Sequence, residues 1–497
     1  MDPVSFQLAT ATPAPLPAAG IEPRQWQRQL LQLLRSRLVR PVSQGHDVLI
    51  NAGPGAGKTL GALLSFQRLQ QEGRLQHFVV LCHRASIARQ WTQAANRLGL
   101  VLHPWEPGTD VNALSDASPW HGLLLSYQSA SRHRLQLLEH WPEQALGPWL
   151  AIADEVHHLG VDPDDPGAAA WGHAFSQITT TAALRLGLTG TPFRADSLGF
   201  CAARRQAVQE GDQVLEHIVP DLSVEPRQLI AAGDVRPLEF RFQDGWVDHS
   251  RPGADGMGHG DCETSPLSAE SRESWRARNL RRAIQLGDSS SIALRLLLGA
   301  RRRLERLRQA HAGAGGLVIA RNIAHARRIS QLLEEEGDQV QLVHSQHPDA
   351  AEGLAAFRAG KADWLVSIDM CAEGFDAPRV RVVAYLTTVV TRSRFVQAIT
   401  RAVRMDNERA ALEAVPRQPS YIFAPADPLL ISYARSWSLS EPYLLRPRAM
   451  TTEAADGNGH SSQQLPLQAI DERAGNLLRV RGPELPSFLN PQARRSA

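Results

Sequence analysis

Lysine is all but missing from this chain. Of its 53 basic residues only Lys58 and Lys361 are lysines, and the rest are arginines. In a sequence that uses arginine almost everywhere, a lysine marks a place where a compact ammonium serves and a forked guanidinium does not. Cysteine is also scarce. Cys82, Cys201, Cys262 and Cys371 lie far apart with no C-x-x-C pair, which argues against a zinc ribbon or a disulfide framework and suits a reducing compartment. No apolar run approaches the ~20 residues of a membrane span. The opening MDPVSFQLATATPAPLPAAG has no basic n-region and is interrupted by prolines, so it is a poor signal peptide and a cytoplasmic location is expected. Excess charge is missing as well: a net +2 neither demands nor excludes a polyanionic partner, because a binding groove needs only a local basic lining.

What is present is an ordinary globular composition, 43% apolar and 21% charged over 497 residues, long enough for two or three domains. Short apolar runs alternate with helical patterns twice over. The first series is 46–51, 77–82, 122–127, 149–154 and 184–189; the second is 316–320, 339–343, 363–369, 380–386 and 421–425. Near-continuous apolar strands separated by helices predict parallel sheets covered on both faces, hence two similar α/β layers. Residues 245–275 are rich in Gly, Ser, Asp and Pro and read as loop or linker. A helical stretch follows and ends in ALRLLLGARRRLERLRQA; its arginines read as a solvated face or as a nucleic-acid contact. The expected division is a disordered tail over 1–20, a first lobe over 21–230, a linker and helical connection over 231–300, a second lobe over 301–440, and a polar, disordered tail over 441–497.

Lys58 stands in NAGPGAGKT, residues 51–59. Gly53, Gly55 and Gly57, with Pro54 and Ala56 between them, follow a strand candidate and precede a helical pattern. That order lets backbone N–H groups and a helix N-terminus face the phosphates of a nucleotide, with Lys58 bridging them and the Thr59 hydroxyl ligating magnesium. The pattern G-x-x-x-x-G-K-T fails only at its first position, which is Ala52. Further on, the apolar run WLAIAD leads into Asp154-Glu155. Carboxylates at the carboxyl edge of a parallel sheet stand where ligands bind in such folds; Asp154 suits the magnesium and Glu155 the attacking water. Without the loop, the pair reads as a polar strand cap. His157 and His158 have no partner at zinc-ligand spacing.

The combination A-x-x-G-x-G-K-T and D-E-V-H resembles the DExH-type (DEAD/DEAH-box) superfamily 2 helicases and translocases, and further motifs of that family occur in order. IEPRQWQRQL (21–30) resembles the adenine-reading Q motif, with Gln27 as its glutamine and Arg24 beside it. ASIARQW (85–91) resembles motif Ia, LLLSYQS (123–129) motif Ib, and LGLTGTPFR (186–194) motif III with Thr189 and Thr191. DMCAEGFDAP (369–378) resembles motif V with Gly374 and Asp376, and FVQAITRAVR (395–404) motif VI with Gln397, Arg401 and Arg404. Two departures stand out: His83-Arg84 replaces the usual Pro-Thr of motif Ia, and Thr400 replaces a glycine of motif VI. The run DEVHHLG, WGHAF and LTGTPFR is similar to the repair and restriction-type branch.

The resemblance implies two tandem RecA-like parallel-sheet domains, a P-loop NTPase helicase core with a linker and helical insert, and ATP with Mg2+ in the cleft between the lobes. By the same resemblance Lys58, Asp154, Glu155, Arg401 and Arg404 are catalytic, the two arginines acting as fingers on the transferring phosphoryl group. Arg24, Gln27, the loop 53–59, Gly374, Asp376 and Gln397 hold the nucleotide. Arg84, Ser126, Gln128, Arg321 and Ser345 meet a nucleic-acid backbone, DNA before RNA, and His157, Thr189 and Thr191 couple the two sites. The expected function is an ATP-dependent helicase or translocase. Alternatives are an ATP-gated DNA-binding subunit of a repair or defence complex, which clamps beside separate protein partners, and a small-molecule phosphotransferase.

Overall fold

The computed structural model describes residues 21–40, 45–83, 85–109, 120–140, 147–161, 170–190, 199–200, 204–210, 213–250, 262–287, 290–344, 346, 349–368, 377–405, 407–437, 443–445 and 477–483. They divide into two compact units, one of Met1–Pro226 with Ser440–Thr451, the other of Arg227–Leu439 with Thr452–Ala497.

Unit one is built on a seven-stranded sheet in the order Leu222–Val224, Asp47–Ala52, Leu184–Thr189, Trp149–Asp154, His77–Cys82, Gly122–Ser126, Leu102–Pro104. Every pairing is parallel. Burial on both faces explains the unbroken apolar runs: Trp149–Asp154 is buried at all six positions. On one face Val79, Leu81, Leu123, Leu125, Ala151 and Ala153 pack with Phe175 and Ile178 of the helix Ala170–Ile178. Phe66 of the helix Lys58–Gln71 meets Phe78 with ring centroids 4.5 Å apart. Each such fully buried side chain contributes about 1.5–3 kcal/mol.

Unit two repeats the plan with six strands, all parallel, in the order Leu238–Gln243, Ser420–Pro425, Val380–Leu386, Gly315–Ala320, Trp364–Ser367, Val340–Val343. The ten apolar runs all form strands in these two sheets, with small shifts at their ends. This is the α/β architecture of tandem RecA-like domains.

Three strands of these two sheets escaped the sequence reading, each at a sheet edge. Leu102–Pro104 and Leu222–Val224 have three residues each, too few to show a period. Leu238–Gln243 reads LEFRFQ, an edge strand whose residues are only half covered. The stretch expected as a loop needs correcting. Trp246–Ser250 pairs antiparallel with Cys262–Pro266 and with Leu477–Arg481; Val247 is fully buried while Trp246 is 45% exposed, the alternation of a strand covered on one face. The expected polar tail likewise contributes that third strand, and Tyr443–Leu445 pairs with Gln213–Val219 in unit one. Short strands of this kind are held by pairing rather than marked by a local periodic signal. The arginine run of the helix Ile292–Ala310 is engaged within its own unit: Arg301 pairs with Asp338 at 2.7 Å and Glu305 at 2.8 Å, Arg303 stacks on Tyr421, and Arg308 pairs with Asp363. Among the described residues, no helix is long and apolar enough to cross a membrane.

Candidate functional site

The glycine loop joins the strand Asp47–Ala52 to the helix Lys58–Gln71. Gly55 and Gly57 both have φ of 82°, a left-handed backbone that favours residues without a Cβ. Ala52, the departure from the loop pattern, is the last residue of the strand and pairs with Val224, so its position needs no glycine. Three consecutive carbonyls of the loop accept side-chain hydrogen bonds from one helix start: Gly55 O from Arg24 Nη1 at 2.7 Å, Ala56 O from Trp26 Nε1 at 3.0 Å, and Gly57 O from Gln27 Nε2 at 3.0 Å. Gln27 Oε1 also accepts from Arg24 N at 2.9 Å. The carbonyls are thus taken up on one side, leaving the N–H groups at the helix start to serve an anion.

Lys58 Nζ donates to Ala52 O at 3.0 Å and lies 3.7 Å from Glu155 Oε1. A Cβ on Gly190 would stand 2.9 Å from that ammonium, so a larger residue there would displace the tip of Lys58. At the end of the strand Trp149–Asp154 the Asp154 carboxylate is buried, with Oδ2 accepting from Trp91 Nε1 at 2.7 Å and Oδ1 from Glu155 N at 3.0 Å. Tyr127 donates its hydroxyl to Asp154 O at 2.7 Å. Glu155 follows at φ 53°, the only non-glycine residue with positive φ among the described residues. Such a conformation costs about 1–3 kcal/mol and persists where its surroundings enforce it.

Electrostatics separate the two carboxyls. Burial, then the neighbouring Glu155, pushes Asp154 up to about 6, against the pull of Lys58 and the Trp91 hydrogen bond. Burial acts on Glu155 in the same sense, but Lys58, His157, His158 and His83 outweigh it and hold it down to about 2. His157 Nδ1 sits 3.1 Å from Thr189 Oγ1 and 3.4 Å from Glu155 Oε2, which links the strand end of Leu184–Thr189 to the acidic pair. Oxygen donors on Asp154 and Thr59, beside an ammonium and a row of helix-start amides, fit a hard divalent cation held against a polyphosphate.

Unit two places Gln397 near the end of the helix Arg392–Ile399, and Arg401 and Arg404 in the turn that follows; Arg401 is buried and Arg404 half-buried. The turn is tied down by Arg236, whose N donates to Val403 O at 2.8 Å. The Arg236 guanidinium grips Glu413 at 2.6 and 2.7 Å. At the second departure, the Thr400 hydroxyl donates back to Val396 O at 2.6 Å, beside the backbone bond from Thr400 N to the same carbonyl.

Of the nucleic-acid candidates, Ser126 ends its strand and caps the helix Tyr127–Arg132 by accepting from Ser129 N at 3.0 Å. Gln128 is exposed and lies 3.4 Å from His83 O. Arg321 lines a groove of about 320 Å³ with Asn322, His325 and Arg328. Burial, opposed by a bond to the Ile284 backbone and aided by Arg321 and Arg328, pushes His325 down to about 4. Arg84, Thr191, Ser345, Gly374 and Asp376 lie outside the described residues. Sequence reasoning missed Trp26, Trp91, Tyr127 and Gly190. The one signal for the tryptophans was their presence in the motifs themselves, since a buried indole N–H needs a partner.

The family model for the type III restriction enzyme res subunit matches residues 20–194, and that for the helicase conserved C-terminal domain matches residues 299–406. An uncharacterized protein of Mycobacterium leprae (strain TN) is 29% identical over 436 residues, covering 86% of this chain and 66% of its own length. An uncharacterized protein of Mycobacterium tuberculosis (strain H37Rv) is 30% identical over 444 residues, covering 88% of this chain and 67% of its own. The chain therefore spans about two thirds of the length of these relatives. Among solved structures, the ATP-dependent type ISP restriction-modification enzyme LlaBIII bound to DNA aligns with TM-score 0.51 at 14% identity over 85% of this chain and 30% of that one. A fragment described as an HsdR subunit of a type I restriction enzyme from Vibrio vulnificus YJ016 aligns with TM-score 0.50 at 17% identity over 82% and 65%. At such identities the structural likeness speaks for the fold.

Proposed function

Because this chain belongs to the superfamily 2 helicases, on the restriction-type branch, we propose that it hydrolyses ATP and uses the cycle to move along nucleic acid in the cytoplasm, with DNA as its track. The observation that carries this reading is the convergence at one sheet edge of the glycine loop, Lys58 and the Asp154–Glu155 pair. The loop amides and Lys58 bind the β- and γ-phosphates, and Thr59 and Asp154 hold magnesium, which supplies charge neutralisation when bound. Glu155, ionised at neutral pH, orients the attacking water. Arg24 and Gln27 brace the loop through Gly55 O and Gly57 O, and by the family resemblance they also contact the nucleotide. By the family resemblance, Gly374, Asp376 and Gln397 contact the nucleotide, and Arg401 and Arg404 stabilise the charge that develops on the transferring phosphoryl group.

Ser126, Gln128 and Arg84 of unit one, and Arg321 and Ser345 of unit two, touch the backbone of the strand, a contact that carries no sequence preference. His157, Thr189 and Thr191 link the two sites. The res-subunit match supports DNA over RNA, and it equally supports a DNA clamp that works beside separate protein partners. Phosphate release with no polymer, single-stranded DNA, duplex DNA and RNA tests the reading, with Lys58→Ala as the blank. Stimulation by DNA that falls as salt rises is the expected result; hydrolysis indifferent to every polymer would rule out a motor.

A further inference from the structure

We infer that Trp91 and Tyr127 are positioning residues that carry the state of the strand-contacting loops of unit one directly to the acidic pair, so that polymer and nucleotide are coupled within this unit. The inference rests on the motor reading above.

Trp91 belongs to the helix Ala85–Arg97, which begins directly after Arg84. It is fully buried, and its Nε1 donates to Asp154 Oδ2 at 2.7 Å. Tyr127 stands between Ser126 and Gln128, is 1% exposed, and donates to Asp154 O at 2.7 Å. The sheet register explains the reach. Leu81 pairs with Leu125 on one side and Ala153 on the other, so Tyr127 crosses the end of the intervening strand to arrive at Asp154. The carbonyl it holds belongs to the peptide whose N–H closes on Asp154 Oδ1 at 3.0 Å, and that peptide sets Glu155 at φ 53°. Trp91 therefore fixes the orientation of the Asp154 carboxylate, and Tyr127 fixes the peptide plane that aims Glu155.

Packing alone does not require this convergence. A buried indole or phenol is satisfied by any carbonyl, yet two aromatic donors from two different helices end on one residue, 63 and 27 positions away. Close-packed interiors transmit displacement rather than absorb it. A bound strand that shifts the start of either helix therefore shifts the metal ligand or the water-directing carboxylate. Linkage makes the effect reciprocal: what the polymer does to nucleotide affinity, the nucleotide must do to polymer affinity.

The test measures that linkage by binding, without turnover. A labelled single-stranded DNA oligonucleotide is titrated onto the full chain with and without AMPPNP and Mg2+, and the nucleotide is titrated with and without DNA. In the wild-type chain each ligand should change the affinity of the other by on the order of tenfold. In the Trp91→Phe, Tyr127→Phe double variant, which keeps both rings, that factor should shrink to within about twofold while each ligand alone still binds. Full coupling in the double variant would overturn the inference and leave the motor reading standing. Absence of coupling in the wild-type chain with both DNA and RNA would overturn the two together. Should the double variant fail to fold, Tyr127→Phe alone, which removes one hydroxyl, decides the matter by losing or keeping part of the factor.

Discussion

Both units lay helices over a parallel sheet, and both bury charge, but they place it differently. In unit two the buried arginines close locally with their own partners. Arg276 meets Asp427 at 3.0 Å with both side chains almost fully covered, Arg236 forks onto Glu413, and Arg381 bonds Ser420 Oγ at 3.2 Å and Pro419 O at 3.0 Å. Burial, then Arg236, pushes Arg381 down to about 10, still charged at neutral pH. In unit one Arg37 and Asp221 close in the same way, but the end of the strand Trp149–Asp154 leaves a conflict unresolved: Asp154 is pushed up to about 6 beside a Glu155 held at about 2. Two sheets of one design thus serve as scaffold in one place and as chemistry in the other, and unrelieved electrostatic tension marks the second. Arg401 tests the boundary, being buried like the scaffold arginines yet proposed to act on phosphate.

Arg401→Ala therefore offers the largest expected effect. As an arginine finger it should cost about 10³-fold or more in phosphate release while fluorescent-nucleotide binding stays close to normal; unchanged release would put Arg401 with the scaffold and break the comparison. Lys58→Ala should lower hydrolysis by about 10²–10³-fold, the worth of one preorganised donor on developing charge, and weaken nucleotide binding as well.

The next effect is on stability and differs in size between the two units. Arg276→Ala leaves Asp427 buried without its cation and should cost about 3–5 kcal/mol in denaturant unfolding. Asp154→Asn relieves a carboxylate that the fold holds at a disadvantage while losing one of the two bonds its oxygens accept, and should therefore cost much less than Arg276→Ala. A loss of stability in Asp154→Asn as large as in Arg276→Ala would erase the distinction.

The smallest effect is on pH dependence. A carboxyl whose folded-state value lies above its ordinary 3.8 binds its proton more tightly when folded. The stability this lends is fully present below about 3.8 and is lost as pH rises through about 6. Asp154→Asn removes that titration. The variant should therefore lose less stability than the wild-type chain between about pH 4 and 6, as followed by thermal unfolding. Parallel pH profiles would show that the fold does not hold Asp154 above its ordinary value.

Much of this was legible in the sequence, for identifiable reasons. Buried parallel strands must be apolar on both faces, so ten of them showed as plain runs. Lys58 and Asp154-Glu155 showed because a phosphate cradle and a metal-bearing strand end demand fixed residue types at fixed places. Trp26, Trp91 and Tyr127 did not, because their partners are set by sheet order. Trp91 meets a residue 63 positions on, and on an amphipathic helix a tryptophan reads as core. The antiparallel pieces around Trp246–Ser250 were obscured by glycine and proline nearby, since pairing with Leu477–Arg481 leaves no local trace.

Movement itself is the claim on which the rest depends, and displacement of a triplex-forming strand from duplex DNA measures it most directly. The purified chain with Mg-ATP should release the third strand, while Mg-AMPPNP or the Lys58→Ala chain should not. A chain that binds the duplex and hydrolyses ATP yet leaves the third strand in place would contradict the motor and identify a clamp.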